Sequence, residues 1–186
     1  MEQRLFEGFV LAGGRSSRMG RDKALLPLDG STLLEQIAAR VRAAAGSVTL
    51  IGPPERYSGL GLPVAADLIE DCGPIGGVYT ALRISPAPWN LIVACDMPAV
   101  TTAFLAALLE AARDADAECF VPETGSGLHP LCAVYHRRAL VALQNAIDHK
   151  SFKMHDLLRS LRTVAWPVAD AWLLENVNTP VEWGAR

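Results

Sequence analysis

The sequence lacks the features of a membrane protein, of a nucleic-acid-binding protein and of a disordered chain. Its longest apolar runs, such as 103–109, are far shorter than the roughly 18 residues of a membrane-spanning helix. Seventeen Lys and Arg against twenty Asp and Glu leave a formal charge of −3, which argues against a broad nucleic-acid-binding surface. With 51% hydrophobic and 20% charged residues among 186, the sequence predicts one folded domain over residues 1–186.

The sequence also shows no secretory signal and no close pair of cysteines. Acidic residues flank Arg4, and no apolar stretch of signal-peptide length follows. The cysteines are too far apart for a CxxC pair, so we expect reduced thiols in the cytoplasm, with disulfides as the alternative. They are Cys72, Cys95, Cys119 and Cys132. The four histidines likewise lack the spacing of zinc ligands.

Strand and helix patterns alternate in the first half of the chain. Apolar runs at 8–12, 48–51 and 89–94 predict buried strands, and 63–65 predicts a weaker one. Thr32 and Glu35 form a capping box before a helix that Gly46 would end. The stretch 67–77 is predicted to be a loop, and 78–84 a helix.

The second half continues the alternation. An amphipathic helix carrying Phe104 to Leu109 is followed by strands at 119–122 and 130–135, by helices near 137–147 and 152–161, and by a strand at 163–168. The whole pattern predicts an α/β fold, a single Rossmann-like three-layer domain with a mostly parallel sheet. Ligands of such sheets bind at the carboxyl ends of the strands, near the point where strand order reverses.

A glycine pair and a cluster of cations follow the first predicted strand. Gly13 and Gly14 are followed by four cationic residues within positions 15–23, namely Arg15, Arg18, Arg21 and Lys23. Glycines let backbone N–H groups approach phosphate oxygens, and the cations neutralise them, so the loop is predicted to cradle a polyphosphate. A solvated basic loop is the alternative. The loop matches neither the Walker A pattern nor the dinucleotide fingerprint GxGxxG.

The residues Leu11-Ala-Gly-Gly-Arg-Ser-Ser-Arg-Met-Gly-Arg-Asp-Lys-Ala24 resemble the signature of the molybdenum cofactor guanylyltransferase family. Other segments resemble this family in the same order along nearly the whole chain. They are Asp67 with Gly73-Pro-Ile-Gly-Gly77, Ala94-Cys-Asp-Met-Pro98, His129-Pro-Leu131 and Asn176-Val-Asn-Thr-Pro180.

The resemblance implies an enzyme that binds GTP with Mg²⁺ and transfers GMP to molybdopterin or the molybdenum cofactor, releasing pyrophosphate. It implies nucleotide contacts from Leu11, Ala12, Gly13, Gly14, Lys23, Asp67 and Asp96. It also implies transient contacts with proteins that deliver or accept the cofactor. After the second strand, members of the family tend to carry a polar residue where this chain has Ile51-Gly52-Pro53, so base contacts there are expected from the backbone.

The residue types suit this chemistry independently. Transfer of a nucleotidyl group depends on positioning and on neutralising charge at the phosphate oxygens. Lys23 and Arg18 can contact the phosphates, and Asp96 is a hard oxygen ligand for Mg²⁺ at a strand end. We therefore assign Lys23, Arg18 and Asp96 as candidate catalytic residues and Asp96 as the candidate metal ligand.

Each acidic candidate has an alternative. Asp96 could cap the following helix, although Thr101 and Thr102 are nearer its start. Asp67 could form an Asx turn instead of contacting the nucleotide sugar or the metal, and Glu70 and Asp71 are close enough to be confused with it.

Further candidates have structural alternatives as well. Gly76 and Gly77 allow the backbone to approach the base or ribose, or they begin an ordinary helix. Asn176, Asn178 and His129 are candidate acceptor contacts. Thr179-Pro180 also reads as a helix start, and a histidine beside proline is often structural.

Three other functions remain open at this stage. They are a cytidylyltransferase acting on the same acceptor, a sugar-phosphate nucleotidyltransferase, and a nucleotide-binding subunit without turnover. The resemblance at Ala12-Gly13-Gly14 and Cys95-Asp96 favours the guanylyl branch.

Overall fold

A computed structural model describes residues 4–13, 23–28 and 30–176, with only the backbone given for residues 23 and 28. Its strands are β1 (Phe6–Leu11), β2 (Pro27–Leu28), β3 (Ser31–Thr32), β4 (Thr49–Ile51), β5 (Val64–Ala65), β6 (Trp89–Ala94), β7 (Cys119–Thr124), β8 (Gly127–Leu128), β9 (Cys132–His136) and β10 (Thr163–Pro167). Its α-helices are α1 (Leu33–Ala45), α2 (Pro54–Tyr57), α3 (Pro74–Ile84), α4 (Thr102–Arg113), α5 (Leu140–Asp148) and α6 (Met154–Ser160). Single 3₁₀ turns occupy Lys23–Leu25, Ser58–Leu60, Arg137–Ala139 and Ala171–Leu174.

The main sheet has the strand order β10-β7-β9-β6-β1-β4-β5, with β8 paired to β7 and a separate β2–β3 hairpin. β1 pairs in parallel with β4 on one side and with β6 on the other. Within this order only β9 is reversed, because it is antiparallel to both β6 and β7. The prediction of an α/β fold with a mostly parallel sheet is confirmed.

Side chains on alternate positions of the strands fill two cores, one on each face of the sheet. Val10 of β1 packs with α1 and α4, whereas its neighbours Phe9 and Leu11 pack with α3, α5 and α6. All six residues of β6 are buried, as expected for a strand covered by helices on both faces. The result is the predicted three-layer arrangement.

Local sequence signals set most helix boundaries. The Thr32 hydroxyl accepts from the Glu35 N–H at 3.3 Å, and the Thr32 N–H donates to the Glu35 carboxylate at 2.8 Å, which is the predicted capping box. Gly46 ends α1 with φ of 79°, a left-handed conformation that favours glycine.

The start of α3 differs from the prediction. The helix begins at Pro74 instead of at 78, so the predicted loop 67–77 is four residues too long. The glycine pair Gly76 and Gly77 disfavours a helix by intrinsic propensity, but Pro74 suits its first turn, and Ile75 and Val78 are fully buried against the sheet. Tertiary packing therefore overrides local preference here. Within the described residues, no helix is long and apolar enough to cross a membrane.

We expect Gly8→Ala to destabilise the fold by about 1 to 3 kcal/mol, because a methyl group there would overlap the Val41 side chain and lie 2.7 Å from the Ser47 carbonyl oxygen. Urea unfolding measures the change. Gly59→Ala is the matched control, since no atom lies within 4 Å of the added methyl group and the expected change is within about 0.5 kcal/mol. Equal effects of the two substitutions would contradict the close contact between β1 and α1.

Candidate functional site

A cavity of about 520 Å³ opens at the carboxyl ends of β1, β4 and β6. This is the edge predicted from the sequence, next to the strand at which the strand order reverses. Its lining residues are Leu11, Gly13, Ile51, Asp67, Ile69, Asp71, Cys72, Gly73, Pro74, Gly77, Ala94, Cys95, Asp96 and Leu131.

Backbone hydrogen bonds between neighbouring chain segments continue beyond the ends of the strands to the cavity wall. The Ala12 N–H donates to the Ile51 carbonyl at 2.8 Å, the Cys95 N–H donates to the Leu11 carbonyl at 3.2 Å, and the Gly52 N–H donates to the Ala65 carbonyl at 3.0 Å. The chain leaves β1, β4 and β6 at one level because of these bonds. Gly13 and Asp96 consequently reach the same cavity although they are 83 positions apart in the sequence.

The side chain of a buried tyrosine supports the exit from β1. The Tyr57 hydroxyl donates to the Ala12 carbonyl at 2.7 Å, and the ring packs against Gly52, where an added methyl group would lie 3.1 Å from Cε2. Both the N–H and the carbonyl of Ala12 are therefore hydrogen-bonded, to Ile51 and to Tyr57 respectively. Its methyl group belongs to the buried core, next to the cavity-lining Leu11 and Gly13.

The Asp67 carboxylate lies between two glycines. A methyl group on Gly13 would be 3.4 Å from one carboxylate oxygen, and a methyl group on Gly77 would be 3.7 Å from the other. The next residue is anchored to α3, because the Leu68 N–H donates to the buried Thr80 hydroxyl at 3.0 Å. Asp67 is exposed as a whole residue, but its carboxyl faces the cavity and is partly desolvated there, which raises its pKa.

Asp96 follows β6 in a turn and is partly buried at the cavity wall. The N-cap of the next helix is Thr101, whose hydroxyl accepts from the Phe104 N–H at 3.2 Å. Thr101 therefore caps α4, and the alternative that Asp96 caps this helix is wrong. Asp96 lines the cavity, and its role as a metal ligand stays a prediction.

Of the predicted cationic loop, the structure describes only the two ends. Gly13 lies at the cavity, and the backbone of Lys23 begins a 3₁₀ turn. Gly14, Arg15, Arg18 and Arg21 lie outside the described residues, as does Asn178. Phosphate contacts from Arg18 and Lys23 stay predictions.

The remaining acceptor candidates do not line the cavity in the described part of the chain. His129 Nε2 lies 2.8 Å from the Thr124 hydroxyl, which is also 2.8 Å from the Ser126 hydroxyl. Burial lowers the pKa of the His129 ring, which favours its neutral form. Leu131, two residues further on, does reach the cavity, whereas Asn176 is exposed after the last 3₁₀ turn.

Several cavity residues were missed by the sequence analysis. Asp71 was considered only because it could be confused with Asp67, yet both carboxylates belong to this site, whereas Glu70 does not line it. Asp71 has φ of 57°, and this left-handed turn lets the loop pass in front of α3. Burial, with the nearby Asp71 and Asp67 charges, raises the pKa of the Cys72 thiol. Sequence spacing could not identify Ile69 or Cys72 as cavity residues, because their positions depend on the path of this loop.

The carboxylates that line the cavity are oxygen donors of the kind that suits a hard cation such as Mg²⁺. Two carboxylates that the sequence analysis singled out, Asp67 and Asp96, line one cavity. In the ranges 4–13, 23–28 and 30–176, no three His, Cys, Asp or Glu side chains form a cluster able to hold a metal. Mg²⁺ commonly takes one or two carboxylates and completes its shell with waters and substrate phosphates.

The fold and cavity define an α/β protein with a cavity at a topological switch point, the place where sheets of this class bind ligands. The MobA-like NTP transferase domain model matches residues 8–164. A protein named molybdopterin-guanine dinucleotide biosynthesis protein A, from Archaeoglobus fulgidus, has a similar structure, with a TM-score of 0.83 and 25% identity over 96% of this chain and 95% of that one.

Curated relatives agree with the structural match. A probable molybdenum cofactor guanylyltransferase from Nostoc is 36% identical over 92% of this chain and 85% of its own length. A molybdenum cofactor guanylyltransferase from Xanthomonas euvesicatoria is 34% identical over 97% and 94%, respectively. The chain belongs to the MobA-like NTP transferase family, and the resemblance found from the sequence is confirmed.

The raised pKa of Asp67 makes stability depend on pH in a defined direction. A folded-state pKa above the unfolded value contributes stability below the unfolded pKa and loses it as pH rises through the folded pKa. We expect Asp67→Asn to melt at a higher temperature than wild type at pH 7 without ligand, with the difference shrinking as pH falls toward about 4.

Thermal unfolding at several pH values measures this difference. Asp170→Asn is the matched control, since Asp170 is an exposed carboxylate outside the cavity and we expect no comparable trend. A lower melting temperature for Asp67→Asn at pH 7 would show that the carboxylate is stabilised by its surroundings, contrary to the raised pKa.

Proposed function

We propose that this protein transfers GMP from GTP to molybdopterin or the molybdenum cofactor, releasing pyrophosphate and forming the guanine dinucleotide, with Mg²⁺ as its metal. The observation that carries the proposal is the convergence of Gly13, Asp67 and Asp96 on one cavity. Relatives that cover more than four-fifths of the chain and carry the guanylyltransferase name support the choice of substrate.

Nucleotidyl transfer asks the protein mainly to position and neutralise phosphates. At Gly13 no side chain obstructs the approach of a ligand to the backbone, and the cationic residues Arg18 and Lys23 come next in the chain. In the proposed reaction, an acceptor phosphate oxygen attacks the α-phosphorus of GTP, and the bond to the bridging oxygen of pyrophosphate breaks. Arg18 and Lys23 would neutralise the leaving oxygens.

Asp96 would hold Mg²⁺, with Asp67 as a second contact to the metal or to the nucleotide sugar. When bound, Mg²⁺ would supply positive charge to the phosphate oxygens. The raised pKa of Asp67 supports this role, because a carboxylate held in a partly desolvated place gains more from a nearby cation than an exposed one does.

The base would lie against the ends of β1 and β4. Leu11 and Ile51 give this part of the cavity apolar walls. At 51–53 the chain offers Ile51-Gly52-Pro53 and no polar side chain, so hydrogen bonds to guanine would come from backbone groups there.

The acceptor would approach from the side of Leu131, with His129, Asn176 and Asn178 as proposed contacts.

No disulfide links any of the four cysteines, all of which lie in the described part of the chain, and this agrees with the proposed action in a reducing cytoplasm. Proteins that deliver or accept the cofactor would contact the open side of the cavity.

The proposal predicts selective binding of GTP. With Mg²⁺ present, GTP should raise the melting temperature more than CTP or ATP at the same concentration, because a ligand that binds the native state stabilises it by mass action. Adding molybdopterin should then release pyrophosphate. Equal stabilisation by all three nucleotides would exclude a guanine-selective site, a preference for CTP would indicate the cytidylyltransferase, and binding without pyrophosphate release would indicate a non-catalytic subunit.

Asp96→Asn separates a metal ligand from a structural aspartate. The substitution removes the charge that holds a hard cation, so the half-saturating Mg²⁺ concentration for pyrophosphate release should rise by about tenfold or more while unfolding changes little. Thr101→Ala is the contrasting variant. It removes the observed cap of α4 and should lower the free energy of unfolding by about 1 kcal/mol without moving the Mg²⁺ curve. Coinciding Mg²⁺ curves for wild type and Asp96→Asn would overturn the assignment, leaving Asp67 as the next candidate.

A further inference from the structure

A guanidinium from α1 holds the second of two turns that follow β6, and Asp96 lies in the first. Arg40 Nη1 donates to the Pro98 carbonyl at 2.6 Å and to the Val100 carbonyl at 3.0 Å. Arg40 Nη2 donates to the Gln36 side-chain oxygen at 3.1 Å, one helical turn earlier. Three acceptors thus fix the orientation of one side chain, 58 residues before Pro98 in the sequence.

These bonds satisfy backbone groups that the turn cannot satisfy by itself. The Val100 N–H donates to the Met97 carbonyl at 3.3 Å, which closes the turn, but the Pro98 and Val100 carbonyls point outward to α1. Met97 and Val100 are buried in the core between α1, α4 and the sheet. Their burial fixes where the turn lies, and Arg40 adds hydrogen bonds that fix how its backbone is rotated.

The Arg40 guanidinium donates to two backbone carbonyls and one side-chain amide oxygen. In the described part of the chain no carboxylate lies within ion-pair distance of its guanidinium, whereas other arginines, such as Arg113 and Arg159, pair with acidic residues one helical turn away. A planar guanidinium can direct N–H groups at two separate carbonyls, and an ammonium group is a point donor on a flexible stem. Nη1 alone donates to both carbonyls, and Nη2 donates to Gln36 at the same time, so the second arm of the guanidinium, which lysine lacks, holds the side chain in place.

We propose that Arg40 is a positioning residue for Asp96. By holding the Pro98 and Val100 carbonyls, it fixes the turn at 97–100, which directly follows Asp96, and so limits how the Asp96 segment can rotate at the cavity. This inference rests on the proposed function, because it takes Asp96 as the Mg²⁺ ligand. Groups that orient a metal ligand without touching the metal commonly affect metal affinity strongly.

Two measurements on the intact protein test the proposal without turnover. The first is the affinity for Mn²⁺, used as a spectroscopic probe for Mg²⁺, by electron paramagnetic resonance with GTP present and no acceptor. We expect Arg40→Met to weaken Mn²⁺ binding by about tenfold and Arg40→Lys by about threefold. The second is hydrogen exchange of the backbone amides at 95–101, which should become faster in Arg40→Met than in wild type because the turn loses two bonds.

Arg42→Met is the matched control. Arg42 lies on the same helix with its side chain exposed, so its loss should change neither Mn²⁺ affinity nor exchange at 95–101. If Arg40→Met does not fold, the graded effect expected of Arg40→Lys carries the test.

Faster exchange with unchanged Mn²⁺ affinity would overturn the proposal, since Arg40 would then support the turn without positioning the ligand. Unchanged exchange would overturn it as well. Failure of the proposed function is recognised differently, as an absence of Mn²⁺ binding with GTP in wild type itself. The positioning proposal would fall with it, and the exchange measurement would still report whether Arg40 holds the turn.

Discussion

The parallel pairing of β1 with both β4 and β6 is the constraint on which the site depends. Leu11 is in register with Ile51 on one side and with Ala94 on the other, so the three strands end at the same level. Whatever residue follows each strand is then delivered to a single edge. The chain places a glycine pair after β1, a glycine after β4 and an aspartate after β6, so one pairing register brings glycine backbone and a hard oxygen ligand to the same edge of the sheet.

The parts of the fold that the sequence predicts well are those in which local chemistry and tertiary packing favour the same structure. The capping box at Thr32 and the all-apolar β6 are examples, because the hydrogen bonds of a cap and the burial of a strand both have a local signature. The start of α3 was mispredicted because a glycine pair lowers helix propensity, while the burial of Ile75 and Val78, which stabilises the helix, depends on a sheet formed by distant residues. The reversed direction of β9 was not predicted, because hydrophobic periodicity is the same for parallel and antiparallel strands. The connection between β7 and β9 is nevertheless too short for the crossover of a parallel pair, and this was the available signal.

The same distinction applies within the site. Asp96 could be found because an acidic residue directly after a buried strand is placed by the strand itself. Asp67 follows a short strand and lies in a loop with other acids, so its position depends on contacts that spacing does not reveal. The structure separates it from Glu70 by the close packing of Gly13 and Gly77 around its carboxylate. A methyl group at Gly13 or Gly77 would lie at ordinary van der Waals distance from the carboxylate, so the backbone at these two positions forms the wall beside Asp67.

Three segments near candidate functional residues are each held by a side chain from another part of the fold, and these supporting residues lie outside the recognisable motifs. Tyr57 holds the Ala12 carbonyl across 45 positions, Thr80 holds the Leu68 N–H across 12, and Arg40 holds the Pro98 carbonyl across 58. All three act on backbone atoms. A motif shows which side chains perform the chemistry, since the chemistry restricts their type. A support has to supply only a donor or an acceptor at the right point in space, so its residue type and position are free to differ wherever the neighbouring element differs. For this reason the precision of the site is set by residues that sequence patterns do not identify, and it has to be determined from the packed structure.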